Sequence, residues 1–137
     1  MVDSHVILAR IDKIRECIGK LQRFAALEED AFLSDSSATD SAERNIQIAI
    51  QAVIDIGNHV VADMDLGTPK DYKEIFHLLA RHKVISEPLD AKVISMTGLR
   101  NVLVYDYLEI DLRLVHRIIK TELGDFGEFV SAILKLV

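Results

Sequence analysis

The chain has 137 residues, half of them apolar and 28% charged, with a net charge of −6. This composition suits one folded domain over 1–137 with an ordinary core, and it excludes a disordered chain. The acidic balance argues against a general nucleic-acid-binding surface, because such affinity rests on Lys and Arg neutralising phosphates. A local pocket gripping one phosphate stays compatible with it.

The single cysteine, Cys17, allows no internal disulfide and reads as a small core or boundary residue. The N-terminus has no signal-like pattern and no apolar run reaches bilayer length, so the expected location is the cytoplasm.

Residues 4–26 carry Ile7, Ile11, Ile14, Ile18 and Leu21 at spacings of three and four. That narrow seam predicts a long helix packed against an antiparallel neighbour, with Asp3 or Ser4 as its cap. From Leu27 to Thr39 the pattern breaks into a polar connector with room for one helical turn at 31–33. Asp40 and Glu43 have the spacing of a capping box, so the second helix is expected to run from there to Met64, with Gly67 ending it. Arg44, Gln47, Gln51, Asp55, Asn58 and His59 are spread along it. Buried polar groups need partners, so Gln47 and Asp55 matter most if another helix covers them.

Thr68-Pro69 predicts a third, short helix reaching His82 and closed by the basic triplet Arg81-His82-Lys83, which complements the negative helix end. A patch for RNA is the other reading of that triplet. Ser86 and Pro88 open a fourth helix with the seam Leu89, Val93, Met96, Leu99 and Leu103. Asp111 caps a fifth that runs to the C-terminus, with Gly124 and Gly127 marking a bend or a close helix contact. No strand pattern or internal repeat is present, so the fold class is all-α, an up-and-down bundle of four or five helices.

The stretch Gly98 to Asp111, GLRNVLVYDYLEID, places Arg100, Asn101, Tyr105 and Tyr107 in an otherwise apolar run. On a helix Arg100 and Tyr105 stand about 140° apart. A small substrate meets both only if the helix ends between them or a second copy contributes across a twofold axis. A purely structural arrangement is the alternative, in which Arg100 pairs with a carboxylate such as Glu43 or Asp106 and the tyrosine rings pack. No spacing of metal ligands, glycine-rich phosphate loop or serine-protease-like order is present, so no metal or cofactor is expected.

GLRNVLVYDYLEID resembles the signature of HepT-like HEPN domains, in which an arginine is followed after four residues by histidine and then, one residue later, by tyrosine. The segment AERNIQIAIQAVIDIGNHVVAD is similar to the same family's helix-two pattern, and the resemblance covers nearly the whole chain. It implies a helical homodimer with a cleft at the interface, acting as a toxin that cleaves RNA, tRNA among the targets, without metal. It also implies a minimal nucleotidyltransferase antitoxin that silences the toxin by transferring AMP to the motif tyrosine.

Carried over by position, Arg100 is the motif arginine, Asn101 its polar neighbour and Tyr107 the AMP acceptor. Tyr105 stands where the family has its catalytic histidine. Glu43, Arg44, Gln47 and Asp55 are the supporting polar residues of the second helix. The substitution at 105 matters because histidine titrates at about 6.5 and tyrosine at about 10. A proton-transfer group near neutrality is thereby lost, leaving His116 or His59 as candidate replacements. A non-catalytic helical module that binds a nucleotidyltransferase or a nucleotide is the alternative function.

Overall fold

The computed structural model describes residues 2–105 and 111–137; for residues 100–105 it is the helical backbone that is described. The described residues form seven α-helices and no strand: α1 (Ser4–Ala25), α2 (Glu29–Leu33), α3 (Ser36–Asp63), α4 (Tyr72–Arg81), α5 (Glu87–Tyr105), α6 (Leu112–Thr121) and α7 (Gly124–Leu134). The all-α expectation holds, and the extra helices arise from short elements and one break.

The long pair α1 and α3 is the frame. Ile7, Ile11, Ile14, Cys17 and Leu21 of α1 are buried, facing a stripe of α3 that includes Ile46, Ile50, Val53 and Val60. Each fully buried branched aliphatic side chain contributes roughly 1.5–3 kcal/mol relative to exposure, so this seam is the main source of cohesion. The pair is antiparallel. The backbone N–H of Asp3 donates to Asp63 Oδ2 at 3.0 Å, and Arg10 pairs with Asp55 at 3.4 Å. Asp3 caps α1 as expected, accepting from the N–H groups of His5 and Val6. Burial holds the Cys17 thiol above its ordinary pKa, which keeps it protonated and inert.

Three boundaries differ from the sequence expectation. The connector SDSSATDS is largely helical, because Asp35, and not Asp40, caps α3 by accepting from Ser37 and Ala38 N–H. An Asp before small polar residues competes well as an N-cap when Phe32, one turn earlier, is anchored in the core. The short helix starts at Tyr72 with Asp71 as its cap, not at Thr68-Pro69. The expected fifth helix is two, since α6 ends at Thr121 and α7 begins at Gly124. A Cβ built on Gly124 or Gly127 meets nothing within 4 Å, so neither marks a close contact; Gly124 opens α7 at the bend, and Gly127 lies within that helix.

Gly57 is where a close contact does occur. A Cβ there would lie 2.7 Å from Ile75 Cγ2 and 3.2 Å from a Phe76 ring carbon, so α4 presses on α3 at the one position without a side chain. Both α3 and α4 end in a Schellman motif. Leu66 N–H donates to Val61 O at 2.9 Å and Val84 N–H to Leu79 O at 2.8 Å. The left-handed position of each motif is held by a non-glycine residue, Asp65 (φ 54°) and Lys83 (φ 61°). Gly67, with φ 142°, lies beyond the end of α3 and does not terminate it. Asp tolerates the left-handed region by local hydrogen bonding, whereas for most L-residues it costs roughly 1–2 kcal/mol.

Candidate active site

The helix that carries the motif is α5. Its start is conventional: Ser86 Oγ accepts from Leu89 N–H at 3.2 Å, and Leu89, Val93 and Met96 are buried. It lies antiparallel to α4, because His77 Nδ1–H donates to Asp90 Oδ2 at 2.7 Å and the Tyr72 hydroxyl oxygen lies 3.5 Å from a Cβ built on Gly98.

At about 100° per residue, positions 89, 93, 96 and 100 fall within about 60° of one another. Arg100 therefore occupies the middle of the register that Leu89, Val93 and Met96 fill with buried apolar side chains. Positions 98, 101 and 105 form a second stripe about 60° wide, so Asn101 and Tyr105 continue the side of α5 against which Tyr72 rests. Nothing local in the sequence marks Tyr72 as a neighbour of the motif helix. Its hydroxyl reaches Gly98 through the pairing of α4 with α5. Tyr107 lies outside the described residues.

The elements after α5 fix which end of the bundle holds these positions. Only residues 106–110 separate α5 from the cap Asp111, which accepts from Arg113 and Leu114 N–H at 3.2 Å. The first turns of α6 are held to the α1–α3 connection. His116 is buried, its Nε2–H donates to Leu27 O at 2.9 Å, and its ring stacks on Phe32 with centroids 4.9 Å apart. Arg113 lies 3.9 Å from Glu29 of α2. Six residues reach at most about 20 Å, so α5 ends near α2 and the start of α3. His116 is thus a packing and bonding residue, which corrects the expectation that it could replace the motif histidine.

Glu43, Arg44 and Gln47, in the first half of α3, lie toward this same end. Burial, with a further contribution from Asp40 one turn earlier, raises the Glu43 carboxyl above its ordinary pKa. Among the described residues no cation sits within ion-pair distance of Glu43. Asp55 is about 18 Å further along α3. It accepts from Gln51 Nε2 at 2.9 Å and pairs with Arg10. Arg44, Gln47 and Asp55 all line a groove of about 710 Å³ between α1 and α3, so the neighbouring helix that Gln47 and Asp55 need is α1. The described residues include no cluster of three or more His, Cys, Asp or Glu able to hold a metal.

Residues 14–133 match the family model described as Ribonuclease HepT-like. The chain belongs to the HepT-like family. An mRNA nuclease HepT from Shewanella oneidensis is 34% identical, with 95% of this chain and 97% of that protein covered. A tRNA nuclease HepT from Aphanizomenon flos-aquae is 27% identical over 96% of this chain and 90% of its own length. Among solved structures, a tri-AMPylated Shewanella oneidensis HEPN toxin in complex with an MNT antitoxin superimposes with a TM-score of 0.87 at 34% identity, covering all of both chains. The HEPN character of the bundle is thereby settled. Among the described residues of this HepT-like chain, no helix is long and apolar enough to cross a membrane.

Proposed function

We propose that this HepT-like chain is the toxin of a toxin–antitoxin pair, a single-domain, metal-independent ribonuclease of reduced activity that works as a homodimer. The observation that carries the reading is the register of Arg100. An arginine at a helix position in register with buried apolar residues calls for an anionic partner. The phosphate of an RNA strand lying across the bundle end supplies one. The relatives named mRNA and tRNA nucleases support RNA as the substrate.

In such a site the 2′-oxygen attacks phosphorus and the 5′-oxygen leaves. Arg100 and Asn101 hold the non-bridging oxygens, where negative charge grows in the transition state. Tyr105 is protonated at neutral pH, since tyrosine titrates at about 10. It can donate a hydrogen bond to the leaving oxygen but is a poor base toward the 2′-hydroxyl. One half of acid–base catalysis is retained and the other is lost, and a positioned proton-transfer group is typically worth about 10²–10⁴-fold. A second copy across a twofold axis brings the Arg100 and Tyr105 faces of different protomers to one cleft.

Regulation rests on the same segment. A minimal nucleotidyltransferase joins the Tyr107 oxygen to the α-phosphorus of ATP, with loss of the hydroxyl proton and release of pyrophosphate. The AMP places a bulky anion two residues from Tyr105, where it competes with RNA phosphate. The AMPylated relative bound to its antitoxin supports this.

The test is cleavage of total RNA by the purified protein against an Arg100→Ala control. Removing one oxyanion contact is expected to cost about 10²–10³ in rate. Equal, background-level cleavage by both proteins rejects the nuclease and leaves the second reading, a non-catalytic module that docks the nucleotidyltransferase, which the tyrosine at 105 favours. Mass spectrometry after incubation with the partner and ATP is expected to place AMP on Tyr107, and adducts confined to other residues reject that assignment.

A further inference from the structure

At the opposite end of α5 a groove lies beside Lys83, whose backbone is left-handed. Arg81, Lys83 and Lys135 line a groove of about 930 Å³ between the α4–α5 connection and α7. Among the described residues none of the three is within ion-pair distance of a carboxylate. Two acids, Glu87 and Glu128, share the groove, but Glu128 is already neutralised by Lys92 at 3.1 Å. A chain of net charge −6 thus gathers three uncommitted cations in one concave surface.

The backbone supplies an independent indication. Lys83 holds the left-handed position of a complete Schellman motif, with its own N–H donating to Ala80 O at 3.0 Å and that of Val84 to Leu79 O at 2.8 Å. Glycine or asparagine is the residue such a position favours. The equivalent place after α3 is held by Asp65, which tolerates that conformation. Helix-dipole compensation explains Arg81, inside the last turn, yet it does not require a lysine at the strained position itself. Backbone strain held at an exposed residue points to a role for its side chain.

We infer that this groove is an anchoring site for the phosphate backbone of single-stranded RNA, remote from the cleavage motif. It lies about 20 Å from Arg100 along α5, from the rise of thirteen helical residues. A strand of a few nucleotides covers that distance. RNA is named as the ligand because the inference rests on the ribonuclease reading, and its test is a binding measurement that does not depend on cleavage.

The experiment uses the full chain with Arg100→Ala, so that the probe survives, and follows the anisotropy of a fluorescein-labelled single-stranded oligouridylate across a salt series. Lys83→Gly is expected to weaken binding about fivefold at 0.1 M salt and to make the plot of log K against log salt shallower by about 0.7, the share of one phosphate contact on a single strand. The same variant is expected to raise the melting temperature by about 2–4 °C, because glycine relieves the strained position. Lys83→Arg is expected to bind RNA as the parent does. Opposite movements of affinity and stability are the signature of a lysine kept for its ligand.

Unchanged affinity and salt slope in Lys83→Gly overturn the inference. So does weaker binding accompanied by a lower melting temperature, which assigns Lys83 to the fold. Unaltered RNA binding with weakened capture of the nucleotidyltransferase overturns it as well, since the groove then takes a protein. If Lys83→Gly behaves as expected while wild-type protein fails to cleave RNA, the nuclease reading falls and the RNA anchor stands.

Discussion

The two ends of α5 make opposite uses of polar residues. At the first, Ser86 caps the helix and Asp90 holds His77 of α4. Ser86 is exposed, whereas Asp90 is largely buried, its Oδ2 held by His77 and its Oδ1 without a partner among the described residues. At the other end, position 100 has the same helical register as Leu89, Val93 and Met96, and the residue there is an arginine. The first three turns of α5 are amphipathic, with Leu89, Val93 and Met96 buried, and the proposed chemistry is placed on the turns that follow. In the proposed reading, register more than residue type sets Arg100 apart from the polar residues at the start of α5.

The contrast between the two ends can be pushed furthest at Tyr105. Tyr105→His restores a group titrating near neutrality at the motif position, and RNA cleavage is expected to rise by about 10²–10⁴-fold. The melting temperature is expected to stay within a degree or two of wild type. A restored enzyme also needs Arg100, so Tyr105→His combined with Arg100→Ala should return to background. Single-turnover cleavage of a labelled RNA reads both. No gain from histidine would mean that more than this residue separates the chain from active relatives.

A smaller effect is expected from a change confined to the packed end. Gly57 faces Ile75 and Phe76 with no room for a Cβ. Gly57→Val forces α4 away from α3 and is expected to cost about 1–3 kcal/mol by overpacking, read as a lower urea midpoint. Residual cleavage per folded molecule is expected to change far less than in Arg100→Ala. If cleavage collapses in parallel, the two ends are mechanically coupled and do not divide stability from chemistry.

The motif and the helix seams were legible because both are local patterns. Ile7 through Leu21 recur with helical period, and Arg100, Asn101, Tyr105 and Tyr107 stand out against apolar neighbours. What sequence could not give depends on contacts between distant segments. Gly57 is one helical glycine among several until Ile75 arrives 2.7 Å from its absent Cβ. His116 resembles a free imidazole until Leu27 O and Phe32 claim it, 89 residues away in sequence for the carbonyl. Asp55 carries no sequence mark of its partner on α1, Arg10, which joins Gln51 in engaging it. Lys83 carries no sequence mark of its left-handed backbone, because its neighbours fit an ordinary basic helix end equally well.

The mildest change lies back at the motif end, where the start of α3 had two competing caps. Asp35 and Asp40 both precede helix-compatible segments, and Asp40 even has Glu43 in the capping-box position. Asp35 takes the role, since its carboxylate accepts from Ser37 N–H at 3.0 Å and Ala38 N–H at 3.2 Å. Asp40 then lies inside α3, exposed, where a carboxylate is of little use to the backbone and raises the pKa of Glu43. Asp35→Ala is therefore expected to cost about 1 kcal/mol, the usual worth of an N-cap. Asp40→Ala is expected to fall within about 0.5 kcal/mol of neutral, as surface changes do. Paired urea titrations decide between them. The opposite ranking would move the start of α3 to residue 40 and with it the level at which Glu43, Arg44 and Gln47 meet the end of α5.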